Sequence, residues 1–290
     1  MRFICSFALT INTLIAVAQT PTESPYNLKT GREAVLLGAG VASYGAAFVF
    51  NKKLDAFTPA EVQQLNVLNI TPHFDRRATA NYSPSAARLS DVTLIADVAL
   101  TGGVILASRR PQAGEGFFTK DLYTVGVMYV ETMLLTNGIK STVKDAVERT
   151  RPFAYNAAAP LDDKLDKDAR RSFYSGHASN AFATAVFAAE VFRHYHPNSK
   201  AKPWIWVGSL GLAAGTSYLR YEAGQHFPSD LLVGAAMGSL AGWGIPKLHQ
   251  NRTGSAQSVL TNVTAMPWSN GLASGVYLRW NVSSISFVKR

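Results

Sequence analysis

Ser217-Tyr-Leu-Arg220-Tyr-Glu-Ala-Gly224-Gln-His226-Phe-Pro228-Ser-Asp230-Leu-Leu-Val-Gly234 is the stretch on which the reading of this 290-residue chain turns. Two apolar runs without a charge, Trp204 to Leu219 and Leu231 to Ile245, meet here. At their junction stand Arg220, His226 and Asp230, with Gly224 and Pro228 between them. A carboxylate on one ring nitrogen fixes an imidazole's tautomer and makes the other nitrogen more basic. His226 and Asp230 are four apart, which places them on one face if the turn is helical. A loop between buried helices is a costly place for a cation, a histidine and a carboxylate unless they serve one another. Taken alone, the stretch reads equally well as a polar connection with a surface histidine.

The same texture repeats outward from this junction. Ala34 to Phe50 carries no charge, Asp91 to Ala107 is interrupted by Asp97, Asp121 to Ile139 contains Glu131, and Ala178 to Phe192 is the fourth run. With the two above, these predict an all-α fold, a bundle of about six core helices with the active site at helix ends. Glycines and alanines crowd the first run, and Gly234, Gly238 and Gly242 recur every four residues in the last; such small-residue faces let helices approach closely. Residues 1–18 read as a signal peptide: a basic Met1-Arg2, an apolar Phe3 to Val17, and Ala16-Val17-Ala18 before Gln19. Residues 19–33 read as a linker and 34–250 as the helical domain, its motif core at 91–248. The remainder, 251–290, reads as a β-rich tail. There Asn270-Gly271 precedes the alternating Val276-Tyr-Leu-Arg-Trp280, which predicts a β-hairpin. Cys5, the only cysteine, lies in the leader, so the rest of the chain has no thiol for disulfides, nucleophilic catalysis or metal binding.

Charged residues make up 16% of the chain, against roughly 25% in soluble domains, so buried helix surface, membrane contact or both are expected. The formal charge is +9, which suits an anionic partner: a lipid surface or a phosphorylated substrate. No helix-turn-helix, zinc knuckle or aromatic-basic platform accompanies it, so nucleic acid is not expected. The apolar runs are 15 to 19 residues, slightly under the ~20 that a spanning helix needs. Asp97 and Glu131 would each cost roughly 2.5–3.5 kcal/mol at mid-bilayer. If a signal peptide is cleaved, an extracytoplasmic site also requires one early helix not to cross, the first being the expected exception. Spanning and membrane-adjacent bundles both fit.

Two more polar clusters sit at ends of apolar runs. Lys144 and Arg151 are seven apart, sharing a face over two helical turns, and Pro152 ends the segment. Ser175-Gly176-His177 directly precedes the fourth run: Gly176 permits an unusual turn, and the amides that follow form a helix N-terminus suited to an anion. A solvated basic helix end and a plain Ser/Gly helix entry are the bland readings of each. Together with the opening stretch they supply three cations, hydroxyl and amide donors and two histidines, a set fit for phosphoryl transfer without a metal.

In these three clusters the chain resembles the type 2 phosphatidic-acid phosphatase and vanadium haloperoxidase superfamily. Lys144, Arg151 and Pro152 match its Lys-x6-Arg-Pro motif. Ser175, Gly176 and His177 match Pro-Ser-Gly-His with Tyr174 in place of proline. Arg220, His226 and Asp230 match Ser-Arg-x5-His-x3-Asp with Leu219 in place of serine. The resemblance implies that His226 attacks phosphorus, that Asp230 orients it, and that His177 protonates the leaving oxygen and then activates water. It also implies that Lys144, Arg151, Ser175, Gly176 and Arg220 hold the phosphate. No metal and no cofactor are expected. The implied function is an envelope phosphatase, membrane-associated or periplasmic, acting on a lipid phosphate or pyrophosphate. A periplasmic acid phosphatase on soluble esters, a vanadium haloperoxidase and an inert membrane scaffold are the competing functions.

Overall fold

The computed structural model describes residues 24–108 and 117–251, with the backbone of 263–269 and 274–280. The expected signal peptide at 1–18 lies outside these residues. Between 24 and 251 the described residues form helices and irregular connections. The long helices are α1 (Thr30–Lys53), α3 (Pro84–Ala107), α4 (Lys120–Val147), α6 (Gly176–Tyr195), α7 (Lys202–Glu222) and α8 (Pro228–His249). Two short ones, α2 (Pro59–Gln63) and α5 (Leu161–Lys164), stand in the connections.

The long helices run 20 to 28 residues, further than the apolar runs that predicted them. Capping explains the difference. Ser83 Oγ accepts from Ala86 N (3.2 Å) with Pro84 at the first position, so α3 starts seven residues before Asp91. Thr119 caps α4 in the same way through Leu122 N (3.2 Å). At its far end α4 continues past Ile139 as a polar turn carrying Lys140 and Lys144, until Glu148 takes a left-handed conformation (φ 52°). α1 likewise starts at Thr30, inside the segment expected to be linker.

Side-chain contacts fix the direction of each helix. Thr142 Oγ1 donates to Ser43 O (2.7 Å), and Gly40 faces Leu134, so α1 and α4 run parallel. Thr216 meets Thr93 and Arg220 meets Ser90, which sets α7 antiparallel to α3. Asn137 contacts Asn180 while Tyr129 contacts Thr184, placing α4 antiparallel to α6. Gly234 against Ser175 and Gly242 against Ala183 make α6 and α8 parallel. One end of the bundle therefore collects the C-termini of α4 and α7 and the N-termini of α6 and α8. At the other end Tyr26 bridges Gln250, and Asn27 N donates to His249 O (3.0 Å).

α6 is the central helix, with 14 of its 20 residues buried. Its alanines admit close neighbours: a Cβ at Gly238 would lie 2.1 Å from Ser179 O, and one at Gly242 2.3 Å from Ala183 O. The expected small-residue stripe is thus the α6–α8 contact. Phe187, Val191 and Tyr195 continue inward to Val125, Met128 and Ile245. The outer faces of three helices are apolar and uncovered, with Val35, Val41 and Phe48 on α1, Val92 and Ile95 on α3, and Leu232 and Leu240 on α8 each more than half exposed. These three helices are long and apolar enough to cross a membrane, with mean hydropathy 1.6, 1.7 and 1.2. Asp97 and Glu131, which counted against spanning, are fully buried inside the bundle. The first helix, expected to be the exception, is among these three by length and composition. The protein is membrane-associated.

In the C-terminal part, Val263–Ser269 and Ser274–Trp280 (β1 and β2) lie antiparallel. The expected hairpin is not supported as a unit, because its turn at Asn270-Gly271 falls outside the described residues.

Candidate active site

The helix ends gathered at one end of the bundle enclose a cavity of about 300 Å³. Six of the eight residues singled out from the sequence line it: Lys144 at the end of α4, Arg151 beyond it, Gly176 and His177 opening α6, Arg220 closing α7, and His226 in the loop to α8. Lys140, Arg171, Asp168, Asn180 and Leu94 complete the lining. Five cations thus face one carboxylate, and that carboxylate is already engaged: Asp168 Oδ2 lies 2.7 Å from Arg151 Nη2. Burial alone would raise the Asp168 carboxyl, but Arg151, Lys144 and Arg171 hold it below the usual carboxylate range. One paired carboxylate among cations is a poor donor set for a divalent metal and a good one for an anion.

Neutral acceptors also hold the cations from behind and keep them aimed. Lys144 Nζ donates to Arg171 O (2.6 Å), and Arg151 Nε donates to Asp168 O (2.8 Å). Gln225 Oε1 accepts from both Arg151 and Arg220. Arg220 Nη1 reaches Ser90 Oγ on α3 (3.3 Å), and its Nε has no hydrogen-bond partner although buried. The loop that carries His226 depends on Gly224, whose φ of +67° an L side chain rarely adopts; a Cβ there would lie 2.2 Å from Asn81 O.

The two histidines are set differently. His177 Nε2 lies 2.7 Å from Asp91 Oδ1 on α3, at the accessible side of the cavity. His226 is only 1% exposed and sits between the cations. Burial, followed by the charges of Lys144, Arg151, Arg220 and His177, pushes its pKa well below the ordinary imidazole value, so the ring is neutral.

Two expectations need correction. Asp230 does not line the cavity, and its Oδ2 is 3.8 Å from His226 Nδ1, too long for a hydrogen bond. That Nδ1 has no hydrogen-bond partner among the described residues. Being the third residue of α8, Asp230 instead accepts Phe227 N at the helix start (2.9 Å), Ser172 Oγ (2.5 Å) and Arg149 Nη1 (2.5 Å). Ser175 also stands behind the wall: its Oγ caps α6 by accepting Ala178 N (3.3 Å), and its own amide donates to Asp230 O (3.1 Å). Gly176 shows no unusual turn. Its missing side chain makes room for Lys140, whose Cδ would lie 2.9 Å from an added Cβ.

Sequence reading missed Lys140, Arg171, Asp168, Asp91 and Arg149. Lys140 was accessible to it, one helical turn before Lys144 on the same face. Arg149 was not. Its guanidinium spans Asp230 and Ser229 on α8, Asp75 Oδ2 (2.8 Å) and Thr71 O (3.1 Å), and stacks over Phe227 at 4.3 Å. Asp75, fully buried, also accepts Ser229 N (3.0 Å) and Ser229 Oγ. Arg149 and Asp75 therefore fix the start of α8, and with it the loop of His226.

A family model described as the PAP2 superfamily matches residues 126–254. The chain is 31% identical over 131 residues to the lipid A 4'-phosphatase of Bacteroides thetaiotaomicron, covering 42% of this chain and 54% of that protein. It is 32% identical over 110 residues to the lipid A 1-phosphatase of Porphyromonas gingivalis, covering 38% of this chain and 20% of the other. The alignments thus span about half the first relative and a fifth of the second. A transmembrane PAP2-type phosphatidylglycerolphosphate phosphatase from Bacillus subtilis matches 72% of this chain and 95% of its own, at 21% identity and a TM-score of 0.40.

Proposed function

We propose that this chain, whose residues 126–254 match the PAP2 superfamily model, is a phosphatase hydrolysing the phosphate ester or pyrophosphate of a lipid through a phosphohistidine, without a catalytic metal. The observation that carries the reading is the cavity itself, where five cations and two histidines meet a single, already paired carboxylate. Such a lining recognises a phosphoryl group and stabilises the charge that spreads over its oxygens in the transition state.

In the proposed first step His226 attacks phosphorus through Nε2, the nitrogen remote from Asp230. The P–N bond forms as the bond to the leaving oxygen breaks, and His177 gives that oxygen its proton. In the second step His177 takes a proton from water, whose oxygen attacks phosphorus and releases His226. A neutral His226 is the form this scheme requires. Lys144, Arg151 and Arg220 hold the phosphoryl oxygens, assisted by Lys140 and Arg171. Asp230 acts on His226 through the loop it anchors, and Asp91 holds the His177 ring.

A lipid substrate is supported by the uncovered apolar faces beside the site. α3 contributes Leu94 to the cavity lining and carries Leu89, Val92 and Ile95 at its surface, where an acyl chain could lie. The lipid A phosphatases among the similar proteins point the same way. The test is phosphate release by purified protein in detergent, with a panel of lipid and soluble phosphate esters in excess chelator. Lipid esters should be turned over, vanadate should inhibit as a mimic of the bipyramidal transition state, and His226→Ala should abolish release while the fold persists. Near-normal turnover by that variant would refute the nucleophile, a preference for soluble esters the lipid reading, and loss in chelator restored by Mg²⁺ the metal-free chemistry.

A further inference from the structure

At the end of the bundle away from the phosphate cavity, three helices direct chemically similar atoms at one point. Glu33 comes from the first turn of α1, Glu131 from the interior of α4 and His249 from the last turn of α8. His249 Nε2 lies 2.9 Å from Glu33 Oε1 and 3.1 Å from Glu131 Oε2, and one ligand atom from each residue falls within 4.8 Å of the other two. α8 separates this cluster from His226: its 22 residues span about 33 Å at 1.5 Å per residue.

Three observations say that the cluster is built for a cation. First, His249 Nδ1 is 2.8 Å from Ile245 O, and a carbonyl only accepts, so Nδ1 carries the proton. The lone pair of Nε2 in the neutral ring then faces two carboxylates, an arrangement that is repulsive towards Glu131, which has no cation of its own among the described residues. A ring nitrogen fixed in this way by a backbone carbonyl on its other side is the usual setting of a metal-ligating histidine. Second, Glu131 is fully buried, and neither of its carboxylate oxygens has a hydrogen-bond partner among the described residues. A buried carboxylate that accepts no hydrogen bond is among the most unfavourable groups a fold can contain. Third, the neighbouring donors are committed to Glu33. Arg32 forks onto Glu33 Oε1 (3.0 and 2.7 Å), and Lys29 N donates to Oε2 (2.6 Å). A proton on Nε2 reaches the two carboxylates through a single N–H. A divalent ion engages all three ligand atoms at once.

We propose that Glu33, Glu131 and His249 bind one divalent transition-metal ion, with zinc the ion that a buried set of one imidazole and two carboxylates suits best. In a tetrahedral zinc site ligand atoms stand about 3.3 Å apart, so those at 2.9 and 3.1 Å open by a few tenths of an ångström on binding. The ion ties α1, α4 and α8 together far from the cavity. It acts on stability and not on the phosphoryl step.

The test is metal binding by the purified full-length chain in detergent, stripped with chelator and titrated with Zn²⁺ alone, then separately with Co²⁺. We expect one ion per chain, a rise in the thermal unfolding midpoint, and the intense visible bands of tetrahedral Co²⁺. Glu131→Gln, which keeps the shape of the side chain, should weaken binding at least tenfold. His249→Gln repeats the measurement from another helix if that variant fails to fold. Substoichiometric binding by the wild type, an unmoved midpoint, or wild-type affinity in either variant would overturn the site. Stripped protein should retain phosphatase turnover at low temperature; a direct loss of turnover before any unfolding would overturn the structural role. Because binding is read on the metal, the phosphatase reading can fail without touching this result.

Discussion

Removal of the Arg149 guanidinium probes how His226 is positioned. Arg149 donates to Asp230 Oδ1 (2.5 Å) and Ser229 Oγ (2.7 Å) through Nη1, and to Asp75 Oδ2 (2.8 Å) and Thr71 O (3.1 Å) through Nη2. Both carboxylates are fully buried. Breaking a buried ion pair by deleting one partner costs about 3–5 kcal/mol, because the other charge stays behind. Here two charges stay behind, but each keeps other donors: Ser172 and Phe227 N for Asp230, Ser229 for Asp75. The Arg149 side chain is also 19% exposed, which admits solvent to screen the loss. Arg149→Ala should therefore destabilise by about 2–4 kcal/mol. Its catalytic effect should be the larger one, since freeing the start of α8 lets the His226 loop drift, and about 1 Å of misplacement costs about 10²-fold. The assay is steady-state phosphate release beside thermal unfolding. The kcat should fall about 10²-fold with KM nearly unchanged, because Lys144, Arg151 and Arg220 still hold the phosphate. Arg149→Lys keeps the charge but not the fork and should recover stability more than kcat. An Arg149→Ala protein with kcat within twofold of wild type would refute the positioning argument, and a parallel collapse of KM and kcat would reduce Arg149 to a purely structural residue.

The pH dependence of His226 follows from its surroundings. With its pKa held below the ordinary 6.5 by burial and by Lys144, Arg151, Arg220 and His177, the ring stays neutral as pH falls through 6.5, and protonation comes only at lower pH. A ¹H–¹³C titration of histidine-labelled protein, with His226 assigned by its loss in His226→Ala, should place the midpoint below 6.5; a midpoint at or above 6.5 contradicts the cavity electrostatics. The helix directions give a topological expectation for spanning helices. In a Cys5→Ser background, Gln64→Cys near the cavity end and Asn198→Cys at the opposite end should label from opposite sides of sealed vesicles; labelling from one side would exclude a six-crossing arrangement.

The six long helices were legible because predominantly apolar stretches of 15 to 19 residues have few alternatives to burial or lipid. Their ends were less so, since Ser83 and Thr119 extend helices into polar sequence by capping rather than by hydrophobicity. At the cavity, Lys144, Arg151, His177, Arg220 and His226 were legible as charges placed where apolar runs stop. The partners that hold them were not. Arg149 and Asp75 are 74 residues apart, and Asp91 and His177 are 86 apart. Only the helix directions bring these pairs together. Asp230 shows the same gap within a single motif. Spacing placed it on the face of His226, but a carboxylate at the third position of a helix is also the natural acceptor for that helix's free amides, and that demand takes Oδ2.

Burial also reverses the sequence argument about crossing. Asp97 and Glu131 count against a membrane only if they meet lipid, and both are fully buried within the bundle. If α1 crosses with the rest, an even number of helices separates Tyr26 from Gln250, and both stand at the end opposite the cavity. Two sequence expectations then exclude each other. Cleavage after residue 18 with export of the new end would put residues 24–29 outside and the cavity inside. A cavity open to the envelope requires residues 24–29 to stay in the cytoplasm, which a cleaved leader does not allow. Lys29 and Arg32, flanking the start of α1, favour that second arrangement under the positive-inside rule, as does Lys247 at the end of α8.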